Sequence, residues 1–222
     1  MAADEIEIPV EGGAALPGLW ATSDGAGCLV VLAHGAGSGM RSPFLEGFAM
    51  EMTALGHPSL RFDFPYMAAG RRAPDRPPVL IAAWRAAFAE AGRRAGGGPI
   101  AAAGKSMGGR IASMAAAEGM PAAALVFLGY PLHPPGRPEQ LRDAHLASVA
   151  APMLFLQGTR DVFAQPELLH AVVGRLVPRA ELLEVTGADH SFKTRGERRD
   201  ARQIGASLAP AAARFLAPLA VT

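Results

Sequence analysis

The stretch that most narrows what this chain can fold into is Pro99-Ile-Ala-Ala-Ala-Gly-Lys-Ser-Met-Gly-Gly-Arg-Ile111. Ile100 to Ala103 reads as a short buried strand, and a helix is expected from Met107 to about Glu118. Between them, Gly104, Ser106 and Gly108 form a G-x-S-x-G pattern, which sets a serine at the apex of a strained strand-to-helix turn. Small residues flank the serine because neighbouring backbone passes close to such a turn. The helix N-terminus beneath it favours developing negative charge.

The rest of the chain supplies a sheet for that strand. Glu5 to Val10 alternates as an edge strand does, and Ala15 to Thr22 can pair with it across Gly12-Gly13. Cys28 to Ala33 is a continuous apolar run, the mark of a strand covered on both faces. Helical spacing follows over Phe44 to Leu55, then a strand over Ser59 to Phe64, a loop over Tyr66 to Pro78 and a helix over Val79 to Arg94. Downstream the expected order is strand Ala123 to Gly129, proline-rich loop Tyr130 to Pro138 and short helix Glu139 to Ala147. Strand Pro152 to Gln157, helix Pro166 to Leu176, strand Glu181 to Val185 and helix Arg198 to Leu216 complete it. Right-handed crossovers between alternating strands and helices give a mostly parallel sheet with helices on both faces, in one domain over 1–222.

Composition excludes several classes. The 222 residues are 50% hydrophobic with a net charge of +1, unlike a disordered or generally nucleic-acid-binding chain. The lone Cys28 excludes an intrachain disulfide and lies in an apolar run, as an inert core thiol does. The acidic N-terminus is not a signal peptide and no apolar run spans a bilayer, so a cytoplasmic protein without membrane association is expected. No spacing of His, Cys and carboxylates suits a metal, and no cofactor is expected. Gly104-Lys105-Ser106 ends like a phosphate-binding loop, but the first glycine of that motif would fall on Pro99. Gly35-Ala-Gly-Ser-Gly39 is half a dinucleotide fingerprint whose third glycine position is Met40.

Ligands of parallel sheets sit at the carboxyl ends of the strands. His34, Ser106, Tyr130 and the run Gln157 to Asp161 all fall there. A serine hydroxyl needs a base within hydrogen-bond reach, oriented in turn by a carboxylate. His190, in the glycine turn after the last strand, is the best base among six histidines. Asp161 is the preferred carboxylate over Asp189, whose adjacency to His190 points the two side chains apart, and over Asp63. The oxyanion donors are expected to be the N–H groups of Met107 and Ala36, with His34 a structural prop for that glycine loop. Gly35, Tyr66, Tyr130, Phe163 and Phe192 are candidate substrate-contacting residues. His133 reads equally as a substrate contact or a rigid turn residue. Lys105, one of only two lysines, reads as half of a buried ion pair behind the turn.

Taken in chain order, Ser106, Asp161 and His190 follow the order of the α/β-hydrolase triad. The chain resembles a small, lidless α/β-hydrolase, similar in layout to dienelactone hydrolases, from residue 28 to the C-terminus. Asp63-Phe-Pro-Tyr66, Gly104-Lys-Ser-Met-Gly-Gly109 and Tyr130-Pro-Leu-His-Pro-Pro135 resemble a largely uncharacterised subfamily of predicted hydrolases. Some distant relatives of that subfamily are non-enzymatic subunits of chromatin complexes. The resemblance implies a serine hydrolase acting on a small acyl ester, thioester or amide, with no cap over the site. Dienelactone hydrolases use a cysteine nucleophile, so their lactone chemistry is not implied for Ser106. The rival reading is a non-catalytic binding or scaffold protein that keeps the fold.

Overall fold

The computed structural model describes residues 3–219. Eight strands form one sheet: β1 (Asp4–Ile8), β2 (Leu16–Ala21), β3 (Leu29–Ala33), β4 (Ser59–Phe62), β5 (Ile100–Lys105), β6 (Ala124–Leu128), β7 (Met153–Gly158) and β8 (Ala180–Val185). Their spatial order is β1-β2-β4-β3-β5-β6-β7-β8. The pairs β1–β2 and β2–β4 are antiparallel, and every other neighbouring pair is parallel.

Side-chain alternation sorts the core into two layers. Leu29, Val31 and Ala33 of β3 face one way, toward α3 (Pro77–Arg94) and α4 (Met107–Ala117), reached in the chain after α1 (Pro43–Ala54) and the single turn α2 (Pro65–Ala68). Cys28, Val30 and Leu32 face α1 and the closing helix α6 (Ala201–Leu216), while α5 (Pro166–Leu176) covers β8 from the first side. The α1–α6 crossing is close because both helices present glycine. A Cβ on Gly205 would lie 2.0 Å from the Phe44 carbonyl oxygen.

Several local expectations change, and the loop expected over Tyr66 to Pro78 opens with the turn α2. A short helix over Glu139 to Ala147 does not form; only a 3₁₀ turn, Ala144–Ser148, is present. Arg142 is instead drawn into the β6 loop, its N–H donating to Leu132 O and its carbonyl accepting from the Tyr130 hydroxyl. The strand expected to Phe64 stops at Phe62, because the Phe64 N–H turns toward the His34 ring. The last helix begins at Ala201, where Asp200 and Gln203 form a reciprocal capping box. No helix among the described residues is long and apolar enough to cross a membrane.

Candidate active site

Strand β5 lies at the centre of the sheet and delivers Ser106 at its carboxyl end. Ser106 has φ 51° and ψ −118°, a conformation that non-glycine residues hold only when the surroundings enforce it. Those surroundings are backbone. A Cβ on Gly104 would lie 2.2 Å from Gly109 N, and one on Gly108 would lie 2.5 Å from Ala33 O. The glycines of G-x-S-x-G-G therefore let β5, α4 and β3 converge beneath the serine.

Two further strand ends complete a relay. The Ser106 hydroxyl lies 2.9 Å from His190 Nε2, and His190 Nδ1 lies 2.6 Å from Asp161 Oδ2. An ionised carboxylate only accepts, so Nδ1 carries the proton and Nε2 offers its lone pair to the serine. The Asp161 side chain is wholly buried while the His190 ring is 23% exposed, so of this pair only the histidine reaches solvent. The Asp161 carboxylate also accepts from Gln157 Nε2 at 2.6 Å and from the Phe163 N–H at 2.8 Å. The Phe163 ring packs 4.4 Å from that of His190 and is partly exposed.

Gln157 is a participant that sequence reasoning did not single out. Its carbonyl oxygen accepts from the Tyr130 N–H at 2.8 Å, so one amide joins the β6 loop to the Asp161 carboxylate. The signal for it was a polar residue at the end of the apolar run Met153 to Leu156, buried like its neighbours.

The glycine loop after β3 is braced from within. His34 Nε2 accepts from the Phe64 N–H at 3.1 Å, which leaves Nδ1 to donate to Gly35 O at 2.8 Å. Burial lowers the pKa of this ring below the ordinary histidine value, against the upward pull of the Gly35 carbonyl and the Asp63 carboxylate. Ser38 donates to the same carbonyl through its N–H at 3.3 Å and its hydroxyl at 3.2 Å. A trans peptide directs its N–H opposite its carbonyl, so the Ala36 N–H points away from this anchored side. Gly35 lies against Ser106: a Cβ there would be 3.6 Å from Ser106 Cβ. Ala36 is exposed, and neither its N–H nor that of Met107 has an acceptor among the described residues.

Four of the expected substrate contacts are buried and packed within the fold. Tyr66, Tyr130, His133 and Phe192 are each at most 1% exposed. The Tyr66 hydroxyl accepts from the Gly37 N–H at 3.3 Å. His133 donates from Nδ1 to Pro134 O and accepts at Nε2 from the Gln165 N–H, which leaves neither nitrogen for a ligand. Asp189 caps the His190 turn, accepting from the N–H groups of Ser191 and Lys193 at 2.8 and 3.0 Å. Lys105 makes no ion pair among the described residues; its Nζ donates to the His190 carbonyl at 2.7 Å. His57 bonds Cys28 O on the opposite rim, and burial pushes the Cys28 thiol up to about 11, where it stays protonated. No cluster of three or more His, Cys, Asp and Glu suited to a metal occurs among the described residues.

Comparison with known proteins agrees with this architecture. A dienelactone hydrolase from Anabaena variabilis superposes with a TM-score of 0.77 at 22% identity, covering 100% of both chains. An alpha-beta serine hydrolase homologue from Coxiella burnetii gives 0.76 at 20% identity over 97% of this chain and 98% of that one. An α/β serine hydrolase without a lid from Xanthomonas campestris gives 0.76 at 18% identity, over 97% and 96% of the two chains. Here too, residues 129–143 between β6 and the 3₁₀ turn hold no helix or strand that could form a cap. A family model described as an alpha/beta hydrolase domain matches residues 26–217, and the chain belongs to that family.

Proposed function

We propose that the protein is a serine hydrolase that cleaves a small acyl ester through an acyl-enzyme on Ser106, with His190 as base and Asp161 as its orienting carboxylate. The observation that carries this reading is the continuous relay Ser106 Oγ to His190 Nε2 at 2.9 Å and His190 Nδ1 to Asp161 Oδ2 at 2.6 Å. Ser106 Oγ attacks the acyl carbonyl carbon as its proton passes to His190 Nε2. The carbonyl oxygen becomes an oxyanion facing the Ala36 and Met107 N–H groups. The bond to the leaving group then breaks, and that group takes the proton back from His190. Water, deprotonated by the same nitrogen, attacks the acyl-enzyme, releases the carboxylic acid and restores the serine. Asp161 keeps the ring in one tautomer and stabilises its charged form.

The absence of a cap among the described residues and the exposure of Ala36 leave the donor loop open, which favours a short acyl group; a thioester or amide meets the same machinery. Cytoplasmic location and a single domain over 1–222 belong to the same reading. The test is intact-protein mass after treatment with a fluorophosphonate. One adduct on wild type, absent from Ser106→Ala and His190→Ala, is the expected result. A folded wild type that takes no adduct would sink the enzyme and bring forward the scaffold reading.

A further inference from the structure

We infer that Lys105 is a positioning residue of this centre: its ammonium holds the His190 backbone carbonyl, so two adjacent residues, the last of β5 and the serine after it, tie nucleophile and base together at two points. The inference rests on the serine-hydrolase reading and adds a residue to it. Lys105 ends β5 on the same face as Ala101 and Ala103, the face covered by α1 and α6. Its Nζ donates to His190 O at 2.7 Å and lies 5.8 and 5.6 Å from the ring centres of Phe44 and Phe192. Gly129 makes room for this meeting: a Cβ there would lie 3.2 Å from Nζ and 3.6 Å from His190 Cε1.

The turn that carries His190 needs such a hold. Phe192 has φ 62°, a left-handed backbone unfavourable for a bulky side chain. It is kept there by stacking on Phe44, with ring centres 5.9 Å apart, and by the ammonium beside its ring. A single cationic head thus engages both the carbonyl of the base and the aromatic ring two residues later. A planar, wider guanidinium would meet these partners differently, which fits a lysine here in an arginine-rich chain.

Burial pushes this ammonium down from 10.5 to about 8, against the upward pull of Asp161 and Asp189. It therefore carries its charge at neutral pH and loses it as pH rises through about 8, when the bond to His190 O becomes an ordinary one. The titratable groups around it are the Asp161 carboxylate after β7, with Asp189 and the His190 ring after β8. From α1 and β6 it meets Phe44 and Gly129.

The experiment compares wild type, Lys105→Met and Lys105→Gln in fluorophosphonate labelling rate from about pH 6 to about pH 10. Kinetics on p-nitrophenyl acetate and melting temperature accompany it. Both variants are expected to fold and to keep KM within about twofold, while kcat and labelling drop about 10- to 100-fold through loss of alignment. Lys105→Gln, which keeps an N–H donor, recovers part of the rate. Wild type shows an alkaline decline centred near the value of about 8 that both variants lack. Labelling of both variants within about twofold of wild type, or an unchanged decline in them, overturns the inference. If Lys105→Met does not fold, Lys105→Gln and the wild-type profile decide, and a wild type with no decline overturns it.

A readout without turnover separates this inference from the reading beneath it. The downfield proton signal of His190 Nδ1 is expected to broaden or vanish in the variants, and its persistence there overturns the clamp. A wild type that is never labelled defeats the hydrolase reading, while this signal still decides whether Lys105 positions the ring.

Discussion

His34 and His190 both follow a parallel strand on the same rim, yet the fold uses them in opposite ways. His34 is fully buried and both its ring nitrogens meet backbone, the Phe64 N–H on one side and the Gly35 carbonyl on the other. His190 is held at one nitrogen by a carboxylate and presents the other to a hydroxyl. A ring with a carbonyl partner at Nδ1 and a backbone donor at Nε2 has no lone pair left for chemistry. A ring whose Nδ1–H is taken by a buried carboxylate keeps Nε2 as a base and has a counter-charge for the imidazolium. The partner at the far nitrogen separates a ring that props the loop from one free to serve as the proposed base.

Substituting each ring should split the two roles. His190→Ala is expected to lower kcat on a short-chain ester by about 10³-fold or more, with a melting temperature near that of wild type. His34→Ala is expected to do the reverse. It empties a fully buried site against the Phe64 and Tyr66 rings, 5.0 and 5.9 Å away, and orphans the Phe64 N–H. The destabilisation should be about 3 kcal/mol, read from denaturant midpoints, with a smaller loss of activity through a loosened Ala36 loop. An equal loss of turnover in both variants, with no stability difference, would break the comparison.

The same contrast explains what was legible in the sequence. The relay could be read because each member stands in a turn that ends a periodic apolar segment, and because glycines at 104 and 108 are needed wherever backbones cross at such a serine. The fold was legible for a related reason: apolar runs such as Leu29–Ala33 match strands buried on both faces. The direction of the aromatic side chains was not. Tyr66, Tyr130 and Phe192 carry the same residue types whether they face a ligand or the core, and their direction depends on tertiary partners such as Gly37, Arg142 and Phe44. The helix expected at Glu139 failed likewise, because the bonds Arg142 makes, its N–H to Leu132 O and its carbonyl from the Tyr130 hydroxyl, outweigh weak local propensity. Lys105 was misassigned because a buried lysine predicts a carboxylate, whereas the carbonyl and rings that hold it have no sequence signature.

Gln157 tests whether the carboxylate end of the relay needs its own support. Gln157→Leu keeps the volume near constant but removes the donor to Asp161 Oδ2 and the acceptor for the Tyr130 N–H. A misaligned carboxylate weakens tautomer control without removing the base, so kcat should fall about tenfold with KM little changed. A kcat equal to that of wild type would show that the Phe163 N–H alone suffices to orient Asp161.

The smallest effect expected is one of pH on stability, and it isolates the prop. Burial lowers the His34 pKa from its usual 6.5, so the folded state binds this proton less readily than the unfolded chain does. Stability then falls as pH drops below the unfolded value, because protonation pulls toward the unfolded state. It is regained in full above that value. The melting temperature of wild type should therefore decline on acidification below about pH 6.5, and His34→Gln, which has no proton to gain, should decline less over the same interval. If His34→Gln declines as steeply as wild type, burial of this ring does not set the acid slope, and His34 is distinguished by its hydrogen-bond partners alone.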